Sequence, residues 1–446
     1  MIKILNEIID SYKDEMVQSL QEYVRIKSVV KPPEGDFPFG EDVQRAFEYI
    51  MNLAQAKGFT CKNYDNYAGD ITLGEYPYIG AALHTDVVPE GDGWTVEPYG
   101  GEVIDGKIYG RGTIDNKGCA IAVLYAMLAI KESGQPLSKG IRMIVGNCEE
   151  SGQFPCIRYY MDKTALPECG IVPDAMFPAI YAKKSFCTFS YKKEFDQSRL
   201  QADGVGIRLL KAEGGTAANV VPSSAYAEFR IEGRKEPVKV FFEGVSAHAS
   251  KPELGVNAIS KMLAFLEHVE FEPVEVAETL KMLSVRTSYD TDGRGMGIDF
   301  SDDTGDLTSN IGLLHYEDGI LETTVNLRCP VRTAQKTLED RLKENARQMG
   351  MEYILVNYNP HFYVDKDGEL MNKLLGVYRN MTGDFASQPV AHGAGSYARV
   401  MKNFIPFGPV AVDEEVTFHK PDEHISIDKL VEITKIYAQA LYELSK

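Results

Sequence analysis

The sequence predicts an α/β protein, with a central mixed β-sheet flanked by helices and an inserted α+β domain. Three observations carry this. Short apolar runs near residues 78–83, 140–148 and 169–172 each lead into polar residues of one chemical kind: His84 and Asp86, Glu149 and Glu150, and Asp174. Segments with helical apolar spacing, such as residues 119–133, alternate with these runs. From about residue 183 the texture changes to strand-rich segments, and after residue 359 the first texture returns. Residues 1–182 and 359–446 therefore read as one discontinuous domain, and residues 183–358 as the insertion. A chain of 446 residues is too long for one ordinary core, which agrees with two domains.

Composition narrows the function classes. At 44% hydrophobic and 25% charged residues the chain is ordinary globular material. A net charge of −18 argues against nucleic acid or an anionic membrane surface as partner, and leaves carboxylates to be neutralised by metal. The apolar runs fall short of the ~20 residues of a spanning helix. The first residues, MIKILNEIIDSYKDEM, lack the basic segment and small-residue cleavage site of a signal peptide. Seven cysteines without a C-x-x-C pair suit reduced thiols and a cytoplasmic location.

Taken in order, residues 2–28 have the apolar spacing of one amphipathic helix, and residues 31–40 are a Pro/Gly loop. A helix over 41–57 is closed by Gly58, and strands follow at 60–64, 70–73 and 78–83. The helix over 119–133 stops at Gly134, as helix ends prefer. A buried strand at 140–148, a helix at 155–164 and a strand at 169–172 complete the first part. In the insertion, strands are expected at 185–195, 225–231, 238–244, 309–314, 320–330 and 352–357, with helices at 257–268 and 334–349. The repeated strand-strand-helix order suggests two similar lobes joined by a Gly/Asp-rich loop over 288–306. A helix at 367–382, a Gly-rich loop at 392–396, a strand near Ile405 and a helix at 428–444 close the chain.

The polar residues at the strand ends suit a divalent metal. In an open α/β sheet, ligands bind outside the carboxyl ends of the strands. His84 and Asp86 are two apart, so an extended backbone points both to one side. Asp115 follows in a Gly-rich turn. Zinc takes imidazole nitrogen and carboxylate oxygen, and catalytic sites leave a position open. The available carboxylates are Asp115, Glu150 and Asp174; the imidazoles are His84 and either His419 or His424. Two imidazoles and three carboxylates suffice for two ions if one carboxylate bridges. H-E-x-x-H, P-loop and G-x-S-x-G motifs are absent, which disfavours zincin, nucleotide-hydrolase and serine-hydrolase chemistry.

These residues resemble the co-catalytic zinc metallopeptidases of the aminoacylase/carnosinase group. The likeness rests on His84-Thr-Asp86, Gly110-Arg-Gly-Thr-Ile-Asp115-Asn-Lys-Gly118, Glu149-Glu150 and Asp174. It continues in Ala218-Asn219-Val-Val-Pro222, Gly244-Val-Ser-Ala-His248-Ala-Ser, Ser396-Tyr-Ala-Arg399, Phe407-Gly-Pro409 and His419-Lys-Pro-Asp-Glu423. Leu307-Thr-Ser-Asn310-Ile-Gly and Asn326-Leu-Arg328-Cys-Pro330 bring it nearest to bacterial Xaa-His dipeptidases with a single large lid.

The resemblance implies a zinc exopeptidase-like catalytic domain and a role for each matched residue. One ion would take His84, Asp174 and a bridging Asp115; the other would take Glu150, His419 and the same Asp115. Zinc suits the set, and manganese or cobalt would also fit. Asp86 would fix the tautomer of His84. Glu149 would act as general base on a metal-bridged water. His248 would donate to the oxyanion with help from Asn219. Arg328 and the loop of Gly393, Ala394, Gly395 and Ser396 would hold the substrate carboxylate. The loop departs from the Gly-Gly-Gly-Thr run of the dipeptidases, and Asp422 stands where an Asn commonly precedes the Glu. The implied activity is hydrolysis of short peptides, Xaa-His, β-Ala-His or broader dipeptides. The rival is deacylation or desuccinylation of N-acyl amino acids at the same two-metal site. A small peptide would be the partner. A monomer is expected if one lobe of the lid replaces a partner subunit, with a dimer as the other outcome.

Overall fold

The computed structural model describes residues 2–196, 206–288, 290–392, 396–411 and 414–446. The chain divides into two units, Met1–Tyr181 with Tyr363–Lys446, and Ala182–Phe362.

The first unit is built on a six-stranded mixed sheet, in the order Thr60–Tyr64, Ala68–Leu73, Gly140–Gly146, Tyr78–His84, Gly170–Val172, Phe404–Pro406. The first three strands pair antiparallel. The last four run parallel. Parallel neighbours need a crossover. Helix Lys117–Ser133 makes one, packing against Tyr78–His84 and Gly140–Gly146 and against helix Ile427–Ser445. Residues Lys117 to Ile130 of that helix are all buried, so the sequence reads as continuously apolar and not as a one-sided stripe. Each fully buried Ile or Leu there contributes about 1.5–3 kcal/mol of burial. Gly134 ends the helix at φ +64, in the left-handed region where a Cβ is unfavourable. Helix Ile427–Ser445 begins at Ser426, whose hydroxyl accepts the N–H of Lys429.

Strands Tyr78–His84, Gly140–Gly146 and Gly170–Val172 run parallel, so their carboxyl ends lie at one edge of the sheet. Glycine keeps two of them close. A Cβ at Gly170 would meet the Gly80 carbonyl at 2.2 Å, and one at Gly146 would meet the Tyr397 hydroxyl at 2.1 Å.

The second unit is a seven-stranded antiparallel sheet, in the order Val238–Glu243, Ser224–Ile231, Ile207–Gly214, Thr308–Glu317, Ile320–Cys329, Ser185–Glu194, Glu352–Asn359. Helices Ala258–Leu266, Val274–Thr287 and Gln335–Met349 contribute to one core with residues from both halves of the insertion. The expectation of two similar lobes is corrected by this topology. Strands Thr308–Glu317 and Ile320–Cys329 lie between Ile207–Gly214 and Ser185–Glu194, so the two halves interleave in one sheet.

Smaller corrections concern local signals. The helix expected over 2–28 is two helices, Ile2–Ser11 and Lys13–Val24, broken at Tyr12. Strand Ile207–Gly214 and helix Val274–Thr287 are not anticipated from the sequence. The strand carries Arg208, Lys211 and Glu213 and the helix has weak amphipathic contrast, so neither shows a clean period. Among the described residues no helix is long and apolar enough to cross a membrane.

Candidate active site

The strand ends of the first unit bring the expected ligand residues together in two groups. One is His84, Asp115 and Asp174; the other is Asp115, Glu150 and His419. Within each group one ligand atom from every residue lies within 4.8 Å of the others. Asp115 belongs to both. His84 ends its strand, Glu150 follows the next strand, and Asp174 follows Pro173 at the end of the third. Asp115 sits in the turn before helix Lys117–Ser133, and His419 comes from the segment between Pro409–Val410 and His424–Ser426. His424 is turned elsewhere: its ring approaches the Lys107 ammonium at 3.1 Å and packs on Tyr109.

The hydrogen bonds among these groups suit a cation site. His84 Nδ1 lies 2.9 Å from the Asp86 carbonyl and 3.4 Å from its carboxylate, while Nε2 lies 3.0 Å from Asp115 Oδ1. Both ring nitrogens therefore face acceptors, which is satisfied by a protonated ring or by a metal on Nε2. His419 Nε2 lies 3.1 Å from both Asp115 Oδ2 and Glu150 Oε1, and one N–H cannot serve two carboxylates well. The chemistry of this donor set, imidazole nitrogens and carboxylate oxygens sharing one carboxylate, fits a pair of divalent ions.

The electrostatics agree. Asp115 is held below the ordinary carboxylate range: burial opposes this, but hydrogen bonds from His419 and His84 outweigh it. His84 rises well above the usual imidazole value because Asp115 and Asp86 outweigh the burial that lowers it. His419 is raised to about 10 by Asp115 and Glu150. Burial, then Asp115, lifts Glu150 to about 7. Burial and the charge of Asp174 raise Glu149. Carboxyl groups raised in this way at one edge of a sheet are held apart by mutual repulsion, which a cation relieves.

Asp86 holds more than His84. Its carboxylate accepts the N–H of Glu149 through both oxygens at 3.0 Å and that of Glu150 at 3.0 Å. Asn116 braces the other side: its side chain donates to the Pro173 carbonyl at 2.6 Å and accepts from the His84 N–H at 3.4 Å.

In the second unit, Asn219 and His248 lie on paired segments. Val220 bridges His248, the Ala249 N–H donates to the Asn219 carbonyl at 3.0 Å, and Asn310 donates to the carbonyls of Ala218 and Val220. The Ser250 N–H donates to His248 Nδ1 at 3.1 Å, so that nitrogen is unprotonated and Nε2 carries the hydrogen. Partial desolvation and the Arg328 guanidinium keep His248 below its ordinary value, hence neutral. Arg328 stacks on Phe186 at 4.8 Å, and its buried Nε has no hydrogen-bond partner in the described structure. Gly393, Ala394 and Gly395 lie outside the described residues. Ser396 is buried at the start of the short turn Tyr397–Arg399.

The sequence reading assigns no role to Arg111, Asn116, Lys117 or Glu423, all fully or almost fully buried. Lys117 donates to the carbonyls of Tyr23 and Ile26, and burial pushes its ammonium down to about 7. Arg111 pairs with Glu423 at 2.6 Å. For Arg111 and Lys117 the available signal was a positive charge inside a Gly-rich turn.

Comparison with known proteins agrees with this arrangement. The profile of Peptidase family M20/M25/M40 matches residues 80–443. The Bacillus subtilis (strain 168) protein named "Putative dipeptidase YtjP" is 34% identical over 97% of this chain and 98% of its own. The fold is shared with aminoacylhistidine dipeptidase from Vibrio alginolyticus, with a TM-score of 0.61 at 15% identity over 96% of each chain. It is also shared with human carnosine dipeptidase 1, with a TM-score of 0.60 at 16% identity over 100% of this chain and 98% of that one. Fold and matches together define a peptidase. The chain belongs to Peptidase family M20/M25/M40.

Proposed function

We infer that this peptidase is a metal-dependent dipeptidase acting on short peptides with a free amine and a free carboxylate. The observation that carries the reading is the pair of ligand groups joined through Asp115, with the buried Glu149 held beside them by Asp86. His84, Asp174 and Asp115 would hold one divalent ion, and Glu150, His419 and Asp115 the other. When bound, such ions polarise the scissile carbonyl and make water a competent nucleophile near neutral pH. Zinc suits the donors; manganese and cobalt are the alternatives to test.

Glu149 would take the proton of the attacking water and deliver it to the leaving amine. Burial and the charge of Asp174 raise its carboxyl above the ordinary range, which suits a group that must accept a proton from water. In this reading His248 donates Nε2–H to the developing oxyanion, assisted by Asn219. Arg328 and the segment 393–396 engage the substrate carboxylate, for which a planar guanidinium is well shaped. The inserted unit would then act as a lid whose carboxylate clamp limits substrate length.

The rival reading, hydrolysis of N-acyl amino acids, uses the same groups. The name of the Bacillus subtilis relative favours the dipeptidase. The deciding experiment is amine release after chelator treatment and refilling with zinc, manganese or cobalt. The panel is an α-dipeptide, β-Ala-His, the matching tripeptide, and N-acetyl and N-succinyl amino acids. Cleavage of dipeptides but not the tripeptide is expected. Cleavage of the acyl amino acids alone would overturn the substrate assignment.

A further inference from the structure

The structure assigns to Glu423 a positioning role: its buried carboxylate fastens the backbone bearing Asp115 to the segment bearing His419. This rests on the two-ion reading above, and concerns the ion held by Asp115, Glu150 and His419.

Glu423 is fully buried, four residues after His419. Its Oε1 accepts the N–H of Gly112 at 3.0 Å, of Ile114 at 3.1 Å and of Asp115 itself at 3.3 Å. Three converging amides form an anion-binding concavity, occupied here by a side chain of the same protein. Oε2 accepts from Arg111 Nη1 at 2.6 Å. That guanidinium also donates to the carbonyls of Lys420 and Glu90, and stacks on Trp94 at 5.3 Å. The Gly110 N–H donates to the Glu423 carbonyl at 2.8 Å.

The consequence is geometric. Asp115 and His419 are 304 positions apart in sequence, and one carboxylate, four residues after His419 and bonded to the N–H of Asp115 itself, ties their two segments together. His419 has φ +61 and Asp422 φ +57, so the segment between them is tightly folded and its course depends on what anchors it. The other group shares Asp115, but its His84 and Asp174 leave two strands of the sheet and belong to neither the turn nor the segment that Glu423 joins. Loosening Glu423 should therefore weaken one ion more than the other. Groups that orient metal ligands typically matter by about 10- to 100-fold in affinity.

The test is calorimetric titration of chelator-stripped protein with zinc, comparing wild type, Glu423→Gln, His419→Ala and the double variant. Wild type should take up two ions. Glu423→Gln should bind one ion about 10- to 100-fold more weakly and the other with a smaller loss, with a lower kcat restored by excess zinc and KM unmoved. The double variant should lose no more second-ion affinity than His419→Ala alone. Wild-type affinity for both ions in folded Glu423→Gln would overturn the proposal, whatever its activity. If circular dichroism shows Glu423→Gln unfolded, Glu423→Asp carries the same titration. It keeps the charge beside Arg111 but is too short to reach all its partners. Failure of both variants to fold would assign Glu423 to stability alone, and also overturn the proposal. Failure of wild type to bind two ions would instead count against the two-ion reading.

Discussion

The carboxylate of Asp86 accepts the backbone N–H of Glu149 through both of its oxygens, each at 3.0 Å. The residue expected only to orient His84 therefore also sets the path of the chain at Glu149, the proposed general base, and at Glu150. Both ends of this link are buried. Asp86→Asn should cost about 10- to 100-fold in kcat/KM. An amide can offer only one oxygen to these two N–H donors, and its NH2 group would oppose them. Steady-state kinetics on the metal-loaded protein checks this; unchanged kinetics would detach Asp86 from the base.

Glu149→Gln separates chemistry from ion binding. The substitution keeps size and hydrogen bonding but cannot carry a proton. Turnover should fall by at least ~100-fold, the lower end of what general-base catalysis contributes. Metal content, measured by elemental analysis, should stay at the wild-type value. Loss of an ion along with the activity would mean that Glu149 is itself a ligand.

Proton linkage gives a prediction with a definite sign. In the metal-free protein His419 is raised from 6.5 to about 10, by hydrogen bonds from its ring to Asp115 and then Glu150. The folded value lies above the unfolded one. Its stabilising contribution is therefore fully present below pH ~6.5 and is lost as pH rises towards about 10. Ion uptake has the opposite dependence, because the ring proton must leave before the nitrogen can coordinate. Apparent affinity should rise with pH through the same interval. Calorimetry in two buffers of different ionisation enthalpy should show proton release on zinc binding at pH 7. No release would exclude His419 and His84 as ligands. Chelator should also lower the melting temperature, since binding to the native state alone adds about 4 kcal/mol at 1,000 times Kd.

Gly118 tests the packing behind the site. A Cβ there would fall 2.0 Å from the Thr113 carbonyl, within the turn that presents Asp115. Backbone cannot yield as a flexible side chain can. Gly118→Ala should destabilise the protein by about 1–3 kcal/mol, the usual cost of overpacking. Urea unfolding followed by circular dichroism measures it. A neutral substitution would show that the turn can shift without loss.

Most of the first unit was legible in the sequence because its signals are local. Strands Tyr78–His84 and Gly140–Gly146 are short, apolar and bounded by polar residues, and Gly134 marks a helix end by its left-handed backbone. The candidate ligand residues were legible for a related reason: a buried strand that runs into acidic residues places carboxylates where a cation would offset the cost of burying them. Strand Ile207–Gly214 was not legible, because partly buried positions alternate with charged residues that find ion pairs, such as Lys211 with Glu317.

The sequence by itself determined the class of sheet, the polar residues at its strand ends and the donor chemistry, since each depends on residue type and short spacing. Tertiary structure alone decided which residues meet. It chose His419 over His424, made Asp115 common to both groups, and interleaved the halves of the insertion in one sheet. It also buried Glu423 among the amides of a turn more than 300 residues earlier in the chain. The physical reason is that hydrogen bonds and metal ligation act over about 2–3 Å, and only the folded chain brings residues that far apart in sequence to such distances.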